Sequence, residues 1–436
     1  MSVAGEYEYE ISEIEGTIPA DLKGSLWRNG PGNFERGGQR FEHVLDGDGY
    51  LGRISIDGSA GRASFKGRFV RTKDFEEEEA ADAILKRNTF GTQPEGGVLA
   101  NAGRLALKNV ANTNVVTLGG KVLALWEAGM PQRVVPSTMD CEGNDDLDGS
   151  LLEGGLVVST GFEGVDRMLG LGQGFTAHPR IDPTSGRLAG FSWASKLDQS
   201  AVLATVREWD QGSGRAAHAT RVELAGSLAP HDFAITPSWY VFAHNAMALE
   251  VLPFVAGLKG PVRTAVHAPT PTPTHTPKPR PGPWPRPQPK PRPKPKRGPA
   301  PTQVECLKNT GGGVKLQLVP RPGAHAEGAA ALVAAALAAA PAAAYQESPA
   351  APAAPAAPAA PAAPAALATG AVPEAEGAFF QGVDTLVVET EDPYFNIHHA
   401  TAFEEDGGRT VRLYTAGWPR VVPGPFLGDW GGAMPS

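Results

Sequence analysis

Hairpins recur along this 436-residue chain, and that recurrence narrows its fold more than any other feature. Arg53–Ile56 and Ala63–Val70 flank the turn Asp57–Gly61. Asn114–Leu118 and Lys121–Trp126 flank Gly119-Gly120, a pair suited to a type I′ or II′ turn because glycine takes positive φ freely. Arg180-Ile181 and Arg187–Trp193 flank Asp182–Gly186, and Ala204–Trp209 and Ala217–Leu224 flank Asp210–Gly214. Apolar and polar residues alternate within these runs, which is the period of a half-buried strand. Helical periodicity is scarce outside the acidic stretch Phe75–Leu85. Many short strands with regular turns predict an all-β chain built as a sandwich, barrel or propeller. The length exceeds what one sandwich needs, so a propeller is expected, although no repeat of the Trp-Asp or kelch type is evident.

Two tracts interrupt this pattern and hold many of the 41 prolines. Residues 268–302 carry eight Lys/Arg and no acid; setting that +8 aside turns the formal net charge of −8 into −16 for the rest. Residues 328–370 are nearly all Ala, Pro and Gly, with Ala-Ala-Pro repeating from Ser348 to Ala366. Neither composition can bury enough apolar surface to offset the entropy of ordering the chain. Both are expected to be disordered insertions: the first a polyproline II spacer, the second a spacer with a short alanine helix near Ala329–Ala340. The basic tract would suit an anionic partner or an SH3-type domain, whereas its repetitiveness favours an inert insertion. The expected organisation is 1–267 as the N-terminal part of a propeller, 268–302 as the basic insertion, 303–327 as a propeller strand segment, 328–370 as the Ala/Pro insertion, and 371–436 as a further propeller segment.

Met1–Glu10 is acidic without an apolar core, so no signal or transit peptide is visible. No run of about 18 apolar residues exists outside the Ala/Pro sequence, so no membrane span is expected; a peripheral membrane contact stays open. Cys141 and Cys306 are too few for a disulfide framework and read as free thiols in a reducing compartment. The expected location is the cytoplasm or a plastid, and the expected state a monomer without a nucleic-acid partner.

Three segments place histidine beside a strand-like run. His231 lies in Ala229–Pro237, between the run Arg221–Leu224 and the strand-like Trp239–Phe242, with Thr236-Pro237-Ser238 reading as a turn. His178 lies in Gly174–Pro183, and His398 and His399 lie in Tyr394–Glu404. A single histidine at a strand end is more often a surface or satisfied core residue. Separations of 53 residues from His178 to His231 and 167 from His231 to His398 exclude a helix-borne site and require distant elements to converge. His244, His267, His275 and His325 are assigned to no site. Asp46, Asp48 and Glu404 could mimic a metal cluster, but Asp46-Gly-Asp-Gly49 reads as turn chemistry.

Read in order, the segments resemble the carotenoid cleavage oxygenase family, which includes the retinoid isomerohydrolase of the eye. The resemblance starts at Gly16–Pro31 and continues through Phe41–Gly49, Arg68–Thr72, Asn112–Val115 and Leu123–Pro131. Phe175–Pro179 and Pro230–Thr236 are similar to the segments carrying the family's first two metal histidines. Leu316–Gly323 resembles the stretch before the third, in His398–Glu404. Each motif is weak alone; their number and order carry the resemblance, over most of the chain outside the two tracts. Thr401 stands where Asn is usual and Ile397 where Phe is usual. The chain ends 38 residues past His398, before the family's fourth histidine and two of its three glutamates would fall, so a C-terminally truncated member is expected.

The resemblance implies a seven-bladed β-propeller, incomplete at its C-terminal blades, with Fe(2+) on its axis held by His178, His231 and His398. It implies that Glu127, in Leu-Trp-Glu-Ala-Gly, accepts the second ring N–H of a ligand histidine. It also implies a lipophilic tunnel and insertion of O2 across a polyene double bond of a carotenoid or apocarotenoid, giving two carbonyl products. Neutral imidazoles suit Fe(2+) and leave its charge undiminished, and a carboxylate on the other ring nitrogen fixes the tautomer. The apolar stretch Asn245–Leu258, with Leu252, Phe254, Val255 and Leu258, would line a tunnel mouth, dip into a bilayer or pack in the core. Two rival readings use the same scaffold: an isomerase or hydrolase of a retinoid-like ester, and a non-catalytic lipid-binding product.

Overall fold

The computed structural model describes residues 2–226, 228–245, 247–249, 255–257, 307–309, 313–322, 385–390, 395–408 and 410–418. The tracts 268–302 and 328–370 lie outside these residues, as do Cys306, His267, His275 and His325. The described chain is mostly β, as its turn spacing predicts, and holds three short α-helices, of which Lys73–Ala81 is the longest. Thr72 caps that helix by accepting a hydrogen bond from Phe75 N, and Asp82, in the left-handed conformation, ends it. No helix among the described residues is long and apolar enough to cross a membrane.

Four sheets follow one another along the chain. The first has the order Tyr7–Glu10, Arg62–Phe69, Asp48–Asp57, Lys23–Asn33. The second has the order Cys141–Asn144, Gln132–Val134, Lys121–Leu125, Asn114–Leu118. The third centres on Leu188–Lys196, Val202–Trp209 and Ala216–Leu224, with Gly174–Phe175 and Arg180–Ile181 both pairing antiparallel to Leu188–Lys196. In the fourth, Phe233–Ile235, Trp239–His244, Lys315–Pro320 and Leu386–Glu389 lie side by side, all antiparallel. A two-stranded hairpin, Phe395–Glu405 with Thr410–Trp418, follows. All four hairpins read from the sequence are present. The Gly119-Gly120 loop has φ of 58° and 75°, the positive pair that a type I′ turn requires. No sheet closes on itself among the described residues.

The apolar faces explain the order. Leu51 of the first sheet, and Val70 just past its strand Arg62–Phe69, pack with Val122, Ala124 and Val134 of the second. Leu118, Leu123 and Leu125 of the second pack with Phe175, Leu188 and Trp209 of the third. Phe191, Val206 and Val222 of the third pack with Phe233, Tyr240 and Phe242 of the fourth. Trp239, Val241 and Leu318 of the fourth meet Ala402, Val411 and Leu413 of the last hairpin. Each sheet thus covers its neighbour in chain order.

Directional bonds join the same layers. Asn29 Nδ2 donates to the carbonyls of Ala111 and Asn114, both at 2.8 Å. Asn114 Nδ2 in turn donates to Ala177 O at 2.8 Å. Asn245 Nδ2 donates to Asn396 O at 2.8 Å, and its Oδ1 accepts from Asn396 N at 2.9 Å.

The turn reading of Asp46-Gly-Asp-Gly49 holds for its first half, where Val44–Asp46 forms a 3-10 turn that ends at Gly47, while Asp48 and Gly49 open the strand Asp48–Asp57. Asp46 is buried and accepts from Phe90 N and Thr92 N, tying in a loop more than forty residues away. Asp48 is buried against Lys108 and Arg36, and Lys108 also reaches Glu78 Oε2 at 2.6 Å. Gly49 is required by close approach, since a Cβ there would meet Ala111 O at 2.3 Å.

His244 ends the strand Trp239–His244 of the fourth sheet and is 4% exposed, with Nε2–H donating to Gln317 Oε1 at 3.1 Å. Burial holds its pKa down at about 4. A histidine whose folded pKa is depressed favours the native state above the unfolded value and loses that contribution as pH falls. Wild-type protein should therefore lose about 2 kcal/mol through His244 between pH 7 and pH 5. Urea midpoints at the two pH values should differ less for His244→Leu than for wild type; equal differences would show that His244 does not titrate in this way.

Candidate metal site

Three chain segments bring imidazoles to one point. His178 occupies the turn between Gly174–Phe175 and Arg180–Ile181, both anchored on Leu188–Lys196. Its own backbone N–H is held by Thr176 Oγ1 at 3.1 Å. His231 immediately precedes Asp232 and the strand Phe233–Ile235 of the fourth sheet. His398 stands in Phe395–Glu405, where the pairing register slips between Asn396 and His398 and again between His399 and Thr401. A bulge of this kind re-aims side chains out of the regular alternation. Here it sends the His398 ring toward His231 while His399 is buried.

The ring nitrogens converge. His178 Nε2 and His231 Nε2 are 2.9 Å apart, and His231 Nε2 and His398 Nε2 are 3.2 Å apart. Ring centroids lie 4.5, 4.9 and 5.0 Å from one another. Among the described residues this is the one group of three or more His, Cys, Asp or Glu side chains whose ligand atoms meet, all within 4.8 Å. Two nitrogens each about 2.1 Å from one ion lie about 3.0 Å apart when the bonds are at right angles, so the spacings fit a shared metal. An all-imidazole donor set suits a borderline first-row ion such as Fe(2+).

Protonation agrees with ligand duty at two of the three rings. Burial, helped by the neighbouring His231, pushes His178 down to about 4. Desolvation and His231 also hold His398 below the ordinary histidine value. His231 differs: burial opposes its charge, but the Glu127 carboxylate and Asp232 outweigh burial and raise its pKa. His231 Nδ1–H donates to Glu127 Oε2, which leaves Nε2 as the free electron pair facing the other two rings. Glu127 follows the strand Lys121–Leu125, and its carbonyl accepts from Trp193 Nε1 of the third sheet at 2.8 Å.

Two charged residues of the site have no counterpart in the sequence reading. Arg180 Nη2 donates to Asp232 Oδ2 and, at 2.6 Å, to His399 O; its Nε donates to Phe233 O at 3.0 Å. Asp232 Oδ2 also accepts from His399 N at 2.8 Å. The available signal is adjacency: Arg180 lies two residues after His178, Asp232 one after His231, and His399 one after His398. Glu404 stays clear of the cluster and holds Ser238 through its backbone N–H and its hydroxyl.

The proposed apolar patch is placed in part. Val255 is 38% exposed. Leu252, Phe254 and Leu258 lie outside the described residues. A cavity of about 520 Å³ opens between Leu85–Arg87, Gly103–Ala106 and Gly155-Leu156, and none of the three histidines lines it.

The family model described as retinal pigment epithelial membrane protein matches residues 1–270. Apocarotenoid-15,15'-oxygenase of Synechocystis sp. is 39% identical over 259 residues, covering 58% of this chain and 49% of the relative. Isoeugenol monooxygenase of Pseudomonas nitroreducens is 29% identical over 230 residues, covering 53% of this chain and 42% of the relative. The crystal structure of cobalt-substituted Synechocystis apocarotenoid oxygenase matches with a TM-score of 0.64 at 28% identity, covering 96% of this chain and 63% of that one. The chain spans about half the length of the curated relatives it matches. With the family model covering more than half of its residues and the segments in family order, the chain belongs to the retinal pigment epithelial membrane protein family, that of the carotenoid cleavage oxygenases.

Proposed function

We propose that His178, His231 and His398 hold Fe(2+) in an oxygenase that splits a carbon–carbon double bond of a carotenoid or apocarotenoid. In the reaction one C=C bond breaks and each carbon takes one atom of O2, giving two carbonyl products with no external reductant. The observation that carries this reading is the convergence of three Nε2 atoms from three separate layers. Bound there, a ferrous ion would supply the redox chemistry that lets O2 react with an alkene.

The chain's own groups do the rest of the work at the centre. His178 and His398 are kept neutral by their surroundings and offer electron pairs near neutral pH. Glu127 takes the Nδ1 proton of His231 and orients its ring. The serial packing of the four sheets supports reading them as consecutive blades of a seven-bladed propeller with the histidines near its axis. Substrate class is favoured by sequence distance: the apocarotenoid oxygenase is 39% identical, against 29 to 30% for the isoeugenol and resveratrol enzymes.

Oxygen labelling tests the reaction. With an apocarotenal substrate under labelled O2, both new carbonyls should carry label; label drawn only from water would favour the ester isomerase or hydrolase reading. Replacing His231 with alanine should abolish iron retention after dialysis, as judged by elemental analysis, and unchanged iron would refute the ligand set. Glu127→Gln should keep the fold, because the side chain is partly exposed, yet weaken metal binding by roughly 10- to 100-fold. Titration with the metal against a competing chelator would check this, and wild-type affinity would remove Glu127 from the site.

A further inference from the structure

We infer that Arg180 and Asp232 are positioning residues for the metal: as a pair they fix where the strand bearing His398 stands relative to His178 and His231. The inference rests on the metal reading above and assigns a task to two residues that touch no ligand atom of the cluster.

The geometry is specific to that task. Strand Phe395–Glu405 pairs with Thr410–Trp418 on one side and, among the described residues, with no strand on the other. At His399 both main-chain polar groups on the unpaired side are taken by side chains. The N–H goes to Asp232 Oδ2 at 2.8 Å, and the carbonyl goes to Arg180 Nη2 at 2.6 Å. Arg180 and Asp232 also bond each other, and Arg180 Nε holds Phe233 O. The carbonyl of His398 points the opposite way, to Thr415 Oγ1 at 3.0 Å. One ion pair therefore replaces a neighbouring strand at the bulge that aims His398.

Burial makes the pair exacting. Asp232 is 3% exposed and His399 4% exposed, so each depends on its partners. Arginine is the residue type for the position: its planar fork can bond a carbonyl, a carboxylate and a second carbonyl at once, which a single ammonium would do less rigidly. His178 and His231 have other support, in Thr176 and Glu127 respectively. The ring of His398 is exposed, and its backbone position is what the pair controls. Removing the fork should leave the three imidazoles on the chain but let the third drift.

Cobalt titration of the full chain tests this, read by the visible d–d bands, with far-ultraviolet circular dichroism and thermal unfolding of the metal-free protein run in parallel. Arg180→Ala should weaken Co(2+) binding by roughly 10- to 100-fold and alter the bands, a spectroscopic change that lost fold stability alone would not produce. Should the alanine variant lack the wild-type dichroism, Arg180→Gln, closer in length and uncharged, takes its place with the same expectation. Wild-type affinity and bands in a folded Arg180 variant, with binding lost in His178→Ala, would overturn the positioning role and leave the metal site standing. Undiminished binding in His178→Ala would instead remove the metal reading itself.

Discussion

The site depends on directional bonds between layers that hydrophobic packing alone would leave loosely aligned. Apolar burial is proportional to area and carries little preference for one lateral offset over another. Hydrogen bonds weaken steeply once distance and angle depart from their optimum. Asn29 joins the first sheet to the second, Asn114 joins the second to the third, and Arg180 joins the third to the fourth and to the last hairpin. These donors are side chains and their acceptors are main-chain carbonyls, so they fix the course of the backbone behind the functional groups. Three rings whose nitrogens must converge on one point can be supplied by distant segments only if such a series holds.

How much of this was readable in the sequence follows from the range of each interaction. The four hairpins were legible because alternation and turn chemistry act over a few residues; Gly119-Gly120 needs no partner elsewhere to be a turn. His178, His231 and His398 were legible because family-like segments surround them, and the structure brings all three together. Arg180 and Asp232 were opaque for the opposite reason. Their partners lie 52 and 167 residues away, and a charged residue beside an apolar run looks like any strand end until the fold buries it. Asp48 misled in the same manner: its setting in Asp-Gly-Asp-Gly suggests a turn, while its role is set by Lys108 and Arg36.

The polar interior divides into two kinds of cluster with different logic. Lys108 with Asp48 and Glu78, and Arg321 with Asp182 and Glu208, are closed networks in which every charge meets an opposite charge. Such sets are costly to break because removing one member strands another in low dielectric. Arg321 also holds Thr236 O at 2.6 Å, and so braces the turn that follows the His231 segment. The histidine cluster is not closed in this sense. The carboxylate that touches a ring, Glu127, bonds the outer nitrogen of His231 and leaves the three inward nitrogens facing each other.

That inward arrangement is the strongest physical argument for a cation at the centre. Electron pairs of neutral imidazoles held near 3 Å repel unless a proton or a metal lies between them, and one proton can serve only two nitrogens. A divalent ion would satisfy all three nitrogens at once with little change in their spacing. Because the ligands come from the third sheet, the fourth sheet and the last hairpin, the ion would also pin those layers to one another, and its binding energy would appear as stability of the fold. The bonds that align the layers and an ion bound at their meeting point would then act in the same direction: each would make the other's geometry easier to reach.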